Sequence, residues 1–239
     1  QPQVSVTTGQ WIGFEALARW QKAPYGYVPP DEFIPLLEES GMIVPVGRWI
    51  FRQACEKCAQ WSNREPALTM SINLSYLQLT EPDFIDYMQE TLAATQVDPH
   101  RIIVEMTESV IASRAHALEH LFQRIHDLGI RIAMDDFGTG YSTMNMLKNQ
   151  TLDEIKIDRE FIRDLEKDKS QIIIRNTIAM LQQLGVHIVI EGVETEEQKE
   201  FLLGCNCTDV QGFLFYRPMP VEEFDKLLWQ QEREPDMAK

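Results

Sequence analysis

The chain has 239 residues, 44% of them hydrophobic, which is enough to bury a sizeable core in one large α/β barrel or two small domains. Its 22 basic and 37 acidic side chains give a net charge of −15. That balance excludes general affinity for DNA, RNA or anionic membrane surfaces, although bound divalent cations can still turn an acidic pocket toward a phosphate ligand. No apolar run is long enough to cross a bilayer and no signal peptide opens the chain, so a cytoplasmic location is expected. A start at Gln1 suggests a piece of a longer protein, compatible with the cytoplasmic part of a membrane-anchored one.

In chain order, Gln3 to Thr7 alternates as a strand, and Thr8 to Gln10 turn it into a second strand, Trp11 to Trp20. So short a connection forces an antiparallel hairpin. The second strand carries Glu15, whose simplest partner is Arg19. Pro29, Pro30 and Asp31 start a helix that ends at Gly41, and another runs from about Val46 to Ser62. A strand, Leu68 to Leu74, then delivers Asn73.

The strand-then-helix unit repeats. Pro82 to Thr95 reads as helix, Arg101 to Thr107 as a strand holding Glu105, and Ala115 to Leu128 as a helix stopped by Gly129. Arg131 begins a strand that runs into Asp135 and Asp136 and a turn with Gly138 and Gly140; a short helix is expected near Ser142 to Leu147. Glu154 to Asp158 is a strand with Lys156. The helix Ser170 to Leu184 leads to the strand His187 to Ile190, ending in Glu191. Thr195 and Gln198 form a capping box. Thr208 to Phe215 is the last strand, with Gln211, Val221 to Gln230 the last helix, and 232–239 a polar tail expected to fray.

Eight strands, the later ones separated by helices, predict a TIM-like (β/α)8 barrel over residues 1–231 whose first strand is antiparallel to the second. No Pro/Gly/Ser-rich linker supports a division into two domains. In such a barrel, strand carboxyl ends converge on one site. The convergent set is Glu15, Asn73, Glu105, Asp135, Asp136, Lys156, Glu191 and Gln211. Two adjacent aspartates raise each other's pKa unless a cation neutralises them. Oxygen donors without His or Cys favour Mg2+ or Mn2+. Asp135 beside Asp136 could bridge two ions about 4 Å apart, an arrangement used on phosphate esters. Cys55 with Cys58 and Cys205 with Cys207 raise a zinc site, but the pairs lack the usual knuckle spacing, and reduced thiols are expected. Lys156 beside a metal also fits a Schiff-base lysine or an enolase-type base.

Glu15, Ala16 and Leu17 followed by Arg19 and Trp20 resemble the signature of the EAL-domain family of cyclic di-GMP phosphodiesterases. The resemblance continues through 73–75, 105–109, 135–142, 156–158, 191–195 and 211–213, in family order. It implies a barrel with one antiparallel strand and hydrolysis of cyclic di-GMP to linear pGpG, with Mg2+ or Mn2+ required and Ca2+ inhibitory. It further implies that Glu15, Asn73, Glu105 and Asp135 bind the first metal and Asp136 the second. Lys156 would stand beside the attacking water, with Glu191 and Gln211 completing the surroundings. Arg19 and Asp158 would serve the substrate. Glu108 would hold the loop with Gly138 and Gly140, which the resemblance associates with a homodimer and activity control. Thr143 and Asn145 replace serines common after that loop, Thr151 a proline and Ile190 an alanine; none of these removes a ligand. Family members that bind cyclic di-GMP without cleaving it usually lack one of the ligands, and a silent receptor is the alternative reading.

Overall fold

The computed structural model describes residues 1–24, 26–62, 68–138, 147, 152–165 and 167–231. The tail at 232–239, the short helix expected near 142–147 (apart from residue 147), and Gly140, Thr143, Asn145 and Thr151 lie outside the described residues.

Strands β1 (Pro2–Ser5) and β2 (Trp11–Ala16) form the expected antiparallel hairpin. Two short strands, β3 (Trp20–Lys22) and β4 (Gly26–Val28), then pair apart from the main sheet. The barrel resumes with β5 (Thr69–Asn73), β6 (Ile102–Thr107), β7 (Arg131–Phe137), β8 (Glu154–Ile157), β9 (His187–Glu191) and β10 (Asp209–Gln211). The closed order is β1-β10-β9-β8-β7-β6-β5-β2, and β1 is antiparallel to both neighbours while the other pairings are parallel.

Alternation explains why strands that read as nearly continuous apolar runs deliver polar groups. One face of each strand from β5 to β10, including Met70, Ile72, Ile102, Val104, Ile132, Met134, Ile155, Ile157, Ile188, Ile190 and Val210, joins a single hydrophobic cluster beneath the helices. The opposite face carries Glu15, Ser71, Glu105, Glu154, Lys156 and Gln211, all buried inside the barrel.

Three boundaries differ most from those expected. Strand β2 stops at Ala16 and the chain leaves the barrel, because Trp20 pairs locally across a turn and packs edge-on against Phe33 at 5.9 Å. The helix following β6 starts at Glu108 rather than Ala115, with Glu108 in its first turn, where the helix dipole favours an anion. The last strand ends at Gln211 because Gly212 lies against the backbone of Val193; a Cβ there would sit 2.1 Å from the Val193 carbonyl oxygen. That close approach brings the ends of β9 and β10 together.

The amino ends of β8, β9 and β10 are tied by one imidazole. His187 Nδ1 lies 2.9 Å from Glu154 Oε2, and its Nε2 lies 2.7 Å from Asp209 Oδ2. The Asp209 and Glu154 hydrogen bonds outweigh burial and raise the His187 pKa from 6.5 to about 9. A raised folded-state pKa contributes stability that is full below the unfolded value and lost as pH climbs through the folded one. The unsubstituted protein is therefore expected to lose more thermal stability between pH 6.5 and pH 9.5 than His187→Gln. Equal losses in paired melting curves would contradict the assignment.

Candidate metal centre

Lys156 is the hub of the carboxyl end of the barrel. Its side chain is fully buried, and Nζ lies 2.7 Å from Glu191 Oε1, 2.9 Å from Glu105 Oε2, 3.2 Å from Glu15 Oε2 and 3.5 Å from Asp135 Oδ1. Glu15 is further held through both oxygens, by Asn73 Nδ2 at 2.7 Å and Gln211 Nε2 at 2.6 Å. The barrel thus brings together Glu15, Asn73, Glu105, Asp135, Lys156, Glu191 and Gln211 from seven strands. Glu15 pairs with Lys156 and not with Arg19, whose exposed guanidinium donates to the Ala18 carbonyl.

Two neighbouring aspartates on a regular strand would point to opposite faces. Here Asp136 takes φ +57°, and the pairing of β7 with β8 shifts register between Met134 and Phe137. This bulge turns Asp136 back toward the mouth, so that Asp135, Asp136 and Glu191 each offer a donor atom within 4.8 Å of the others. Glu15, Glu105 and Asp135 form a second such group. Neither group contains a cysteine, which removes the support for a zinc site among the described residues; all four thiols are buried, and burial raises their pKa values.

The charges do not balance. Burial alone would discharge Lys156, but Glu105, Glu15, Glu191 and Asp135 hold it protonated, with a pKa well above the ordinary lysine value. One ammonium cannot satisfy four carboxylates. Burial disfavours the charge of Glu15, yet Lys156 and the amides of Gln211 and Asn73 pull it down to about 2. Burial and the neighbouring acids push Glu105 and Asp135 upward, Glu191 to about 8 and Asp136 to about 6. Glu105 Oε1 is buried without a hydrogen-bond partner. An orphaned carboxylate oxygen among oxygen donors carrying excess negative charge fits a hard divalent cation.

The remaining positions lie around this cluster. Asp158 contributes to raising the Asp136 pKa and accepts from the Glu160 amide at 2.8 Å. Glu108 is buried, and its Oε2 accepts from the Gly138 amide at 2.8 Å, tying the first turn of the helix after β6 to the end of β7. Sequence reasoning passed over Gln3, which is buried and donates to Gln211 Oε1 at 3.2 Å. Its signal was only a polar residue in an alternating strand, which reads equally well as solvent-facing.

A family model for the EAL domain matches residues 1–218. The chain belongs to the EAL-domain family. This EAL domain is 39% identical over 225 residues to the bifunctional diguanylate cyclase/cyclic di-GMP phosphodiesterase MucR of Pseudomonas aeruginosa, covering 93% of the chain and 33% of that relative. It is 38% identical over 227 residues to the oxygen sensor protein DosP of Escherichia coli, covering 93% and 28%. It superposes on the solved PaMucR phosphodiesterase in complex with c-di-GMP with a TM-score of 0.88 at 38% identity, covering 94% of this chain and 92% of that one. The domain therefore spans about a third of the length of the curated relatives it matches. No helix among the described residues is long and apolar enough to cross a membrane.

Removing one partner of a buried ionic cluster leaves uncompensated charge and typically costs about 3–5 kcal/mol. Lys156→Met is accordingly expected to melt well below the unsubstituted domain in EDTA, and to recover part of the loss when Mg2+ or Mn2+ is added. Identical melting curves in EDTA would contradict the role of Lys156 as the charge hub.

Proposed function

We propose that this domain is a metal-dependent phosphodiesterase that hydrolyses one phosphodiester bond of cyclic di-GMP to linear 5′-pGpG. The observation that carries this reading is the single buried cluster of Lys156 with Glu15, Glu105, Asp135 and Glu191 at the barrel mouth, in a chain of this family. The c-di-GMP complex of a relative 38% identical supports the choice of substrate.

Glu15, Asn73, Glu105 and Asp135 are the donors for one Mg2+ or Mn2+, and Asp136, with Asp135 and Glu191, serves a second. A divalent ion held there supplies Lewis acidity and positive charge beside a phosphate. Lys156 adds a fixed ammonium, held by four contacts, as donor and counter-charge to the attacking water and the phosphate oxygens. Glu191, next to Lys156, takes the proton of the water. The phosphorus gains the water oxygen, the bond to the 3′ oxygen breaks, and that oxygen leaves with a proton taken from solvent, to which Glu191 releases the one it accepted. Gln211 orients Glu15 through its amide. Arg19, exposed three residues beyond β2, offers a forked donor to a substrate phosphate, and Asp158, just beyond β8, serves the substrate as well. The larger Ca2+, which accepts looser coordination, inhibits. Glu108 couples the site to the loop carrying Gly138 and Gly140 and to a homodimer partner, and the domain acts in the cytoplasm as the output module of a longer signalling protein.

Incubation with cyclic di-GMP and Mg2+ or Mn2+, followed by anion-exchange separation of nucleotides, is expected to yield pGpG. Glu15→Ala should lower turnover by roughly a hundredfold or more, the scale of losing a charge-stabilising contact in the transition state. Tight binding without product would make the domain a receptor, and full activity of Glu15→Ala would reject the ligand assignment.

A further inference from the structure

We infer that Gln3 is a positioning residue of the metal site: by donating to Gln211 it sets which way the Gln211 amide faces, and so whether Glu15 meets a hydrogen-bond donor or a carbonyl oxygen. The inference rests on the reading of Glu15 as a metal ligand.

The two orientations of a glutamine amide, a half-turn apart, have nearly the same shape, so packing alone does not choose between them. Hydrogen bonds do. Gln211 Nε2 donates to Glu15 Oε2 at 2.6 Å and to Gln1 Oε1 at 3.1 Å, while its Oε1 receives Gln3 Nε2 at 3.2 Å. In the reversed orientation the carbonyl oxygen would face a carboxylate and the amide nitrogen would face the donor of Gln3. Gln3 is 1% exposed and Gln211 5%, so solvent does little to compensate either mismatch.

The fold provides for this contact. Gln3 stands opposite Gly13 in the β1–β2 ladder, and the ladder shifts register immediately after it. A Cβ on Gly13 would lie 2.3 Å from Thr69 Oγ1 and 3.0 Å from Gln3 Oε1, so the bare glycine leaves room for both the threonine and the amide. The one antiparallel strand of the barrel thereby reaches the metal site without contributing a ligand. Its glutamine supports Gln211, which supports Glu15. Outer partners of this kind fix the orientation of metal ligands, and their loss typically weakens metal binding about 10- to 100-fold.

The test is direct Mn2+ binding, followed through the electron paramagnetic resonance of the free ion, for the unsubstituted domain, Gln3→Met, Gln211→Met and the double variant. Each single variant is expected to bind about tenfold more weakly, and the double variant no more weakly than Gln211→Met. Unchanged affinity in Gln3→Met would overturn the inference, as would a full further loss from Gln3→Met on the Gln211→Met background. A complementary measurement needs no variant. In the unsubstituted domain labelled with 15N-glutamine, the side-chain amide protons of Gln3 and Gln211 should exchange slowly with solvent, and exchange at the rate of free glutamine overturns the contact. If the unsubstituted domain binds Mn2+ and Gln3→Met binds it equally, this inference alone fails. If the unsubstituted domain binds no Mn2+, the ligand assignment fails with it.

Discussion

The buried ammonium of Lys156 is the constraint on which the carboxyl end of the barrel depends. Taking an ion out of water costs several kcal/mol even after relaxation, and that cost is offset only where partners of opposite sign stand close by. Glu15, Glu105, Asp135 and Glu191 meet that requirement from four other strands, at 2.7 to 3.5 Å. The lysine in turn makes a tight group of carboxylates possible, but it cannot neutralise all of them. The site is consequently stable enough to form and too acidic to be satisfied by the chain alone. A barrel interior lined only by apolar residues would be more stable, and it would have no use for a cation.

The scaffold holds this cluster by keeping its two faces strictly separate. Ile155 and Ile157 flank Lys156 on the outer face of β8, and both are fully buried under the helices. Full burial of an isoleucine side chain contributes about 1.5–3 kcal/mol, so these two neighbours together match the order of magnitude of the ion's desolvation cost. The same strand begins with Glu154, which faces inward at the other end and meets His187. Ionic groups thus occupy both ends of the barrel interior, with Ile103, Ala133 and Val189 among the buried residues on the inward-facing register between them.

What was legible in the sequence follows from this separation. A glutamate within Ile-Ile-Val-Glu-Met-Thr, or a lysine within Glu-Ile-Lys-Ile, stands out against apolar neighbours, and its place near a strand's carboxyl end gives the meeting point. The hairpin was equally legible, because a three-residue connection leaves no room for a crossover. The ionic knot of Glu154, His187 and Asp209 was not, since each opens a different strand and reads as an ordinary charge at a surface terminus. The kink at Asp136 was hidden for a related reason: two adjacent aspartates suggest opposite faces, and only a left-handed backbone brings both to one mouth. The end of β2 was obscured because Ala16 to Trp20 keeps the composition of a strand while the chain has already left the sheet to make its own small hairpin.

The two amides beside Glu15 look equivalent in sequence, each a polar residue near a strand end, but their hydrogen bonds separate them. Both donate a hydrogen bond to the carboxylate, and each has one carbonyl oxygen left. The oxygen of Gln211 is taken by Gln3. The oxygen of Asn73 has no donor among the described residues, and Asn73 lies exposed at the mouth. An acceptor left free can bind a cation, whereas one already engaged can only orient its neighbour. On the proposed metal reading, Asn73 therefore keeps an oxygen for the ion and Gln211 acts through Glu15, a distinction drawn by the antiparallel strand that supplies Gln3.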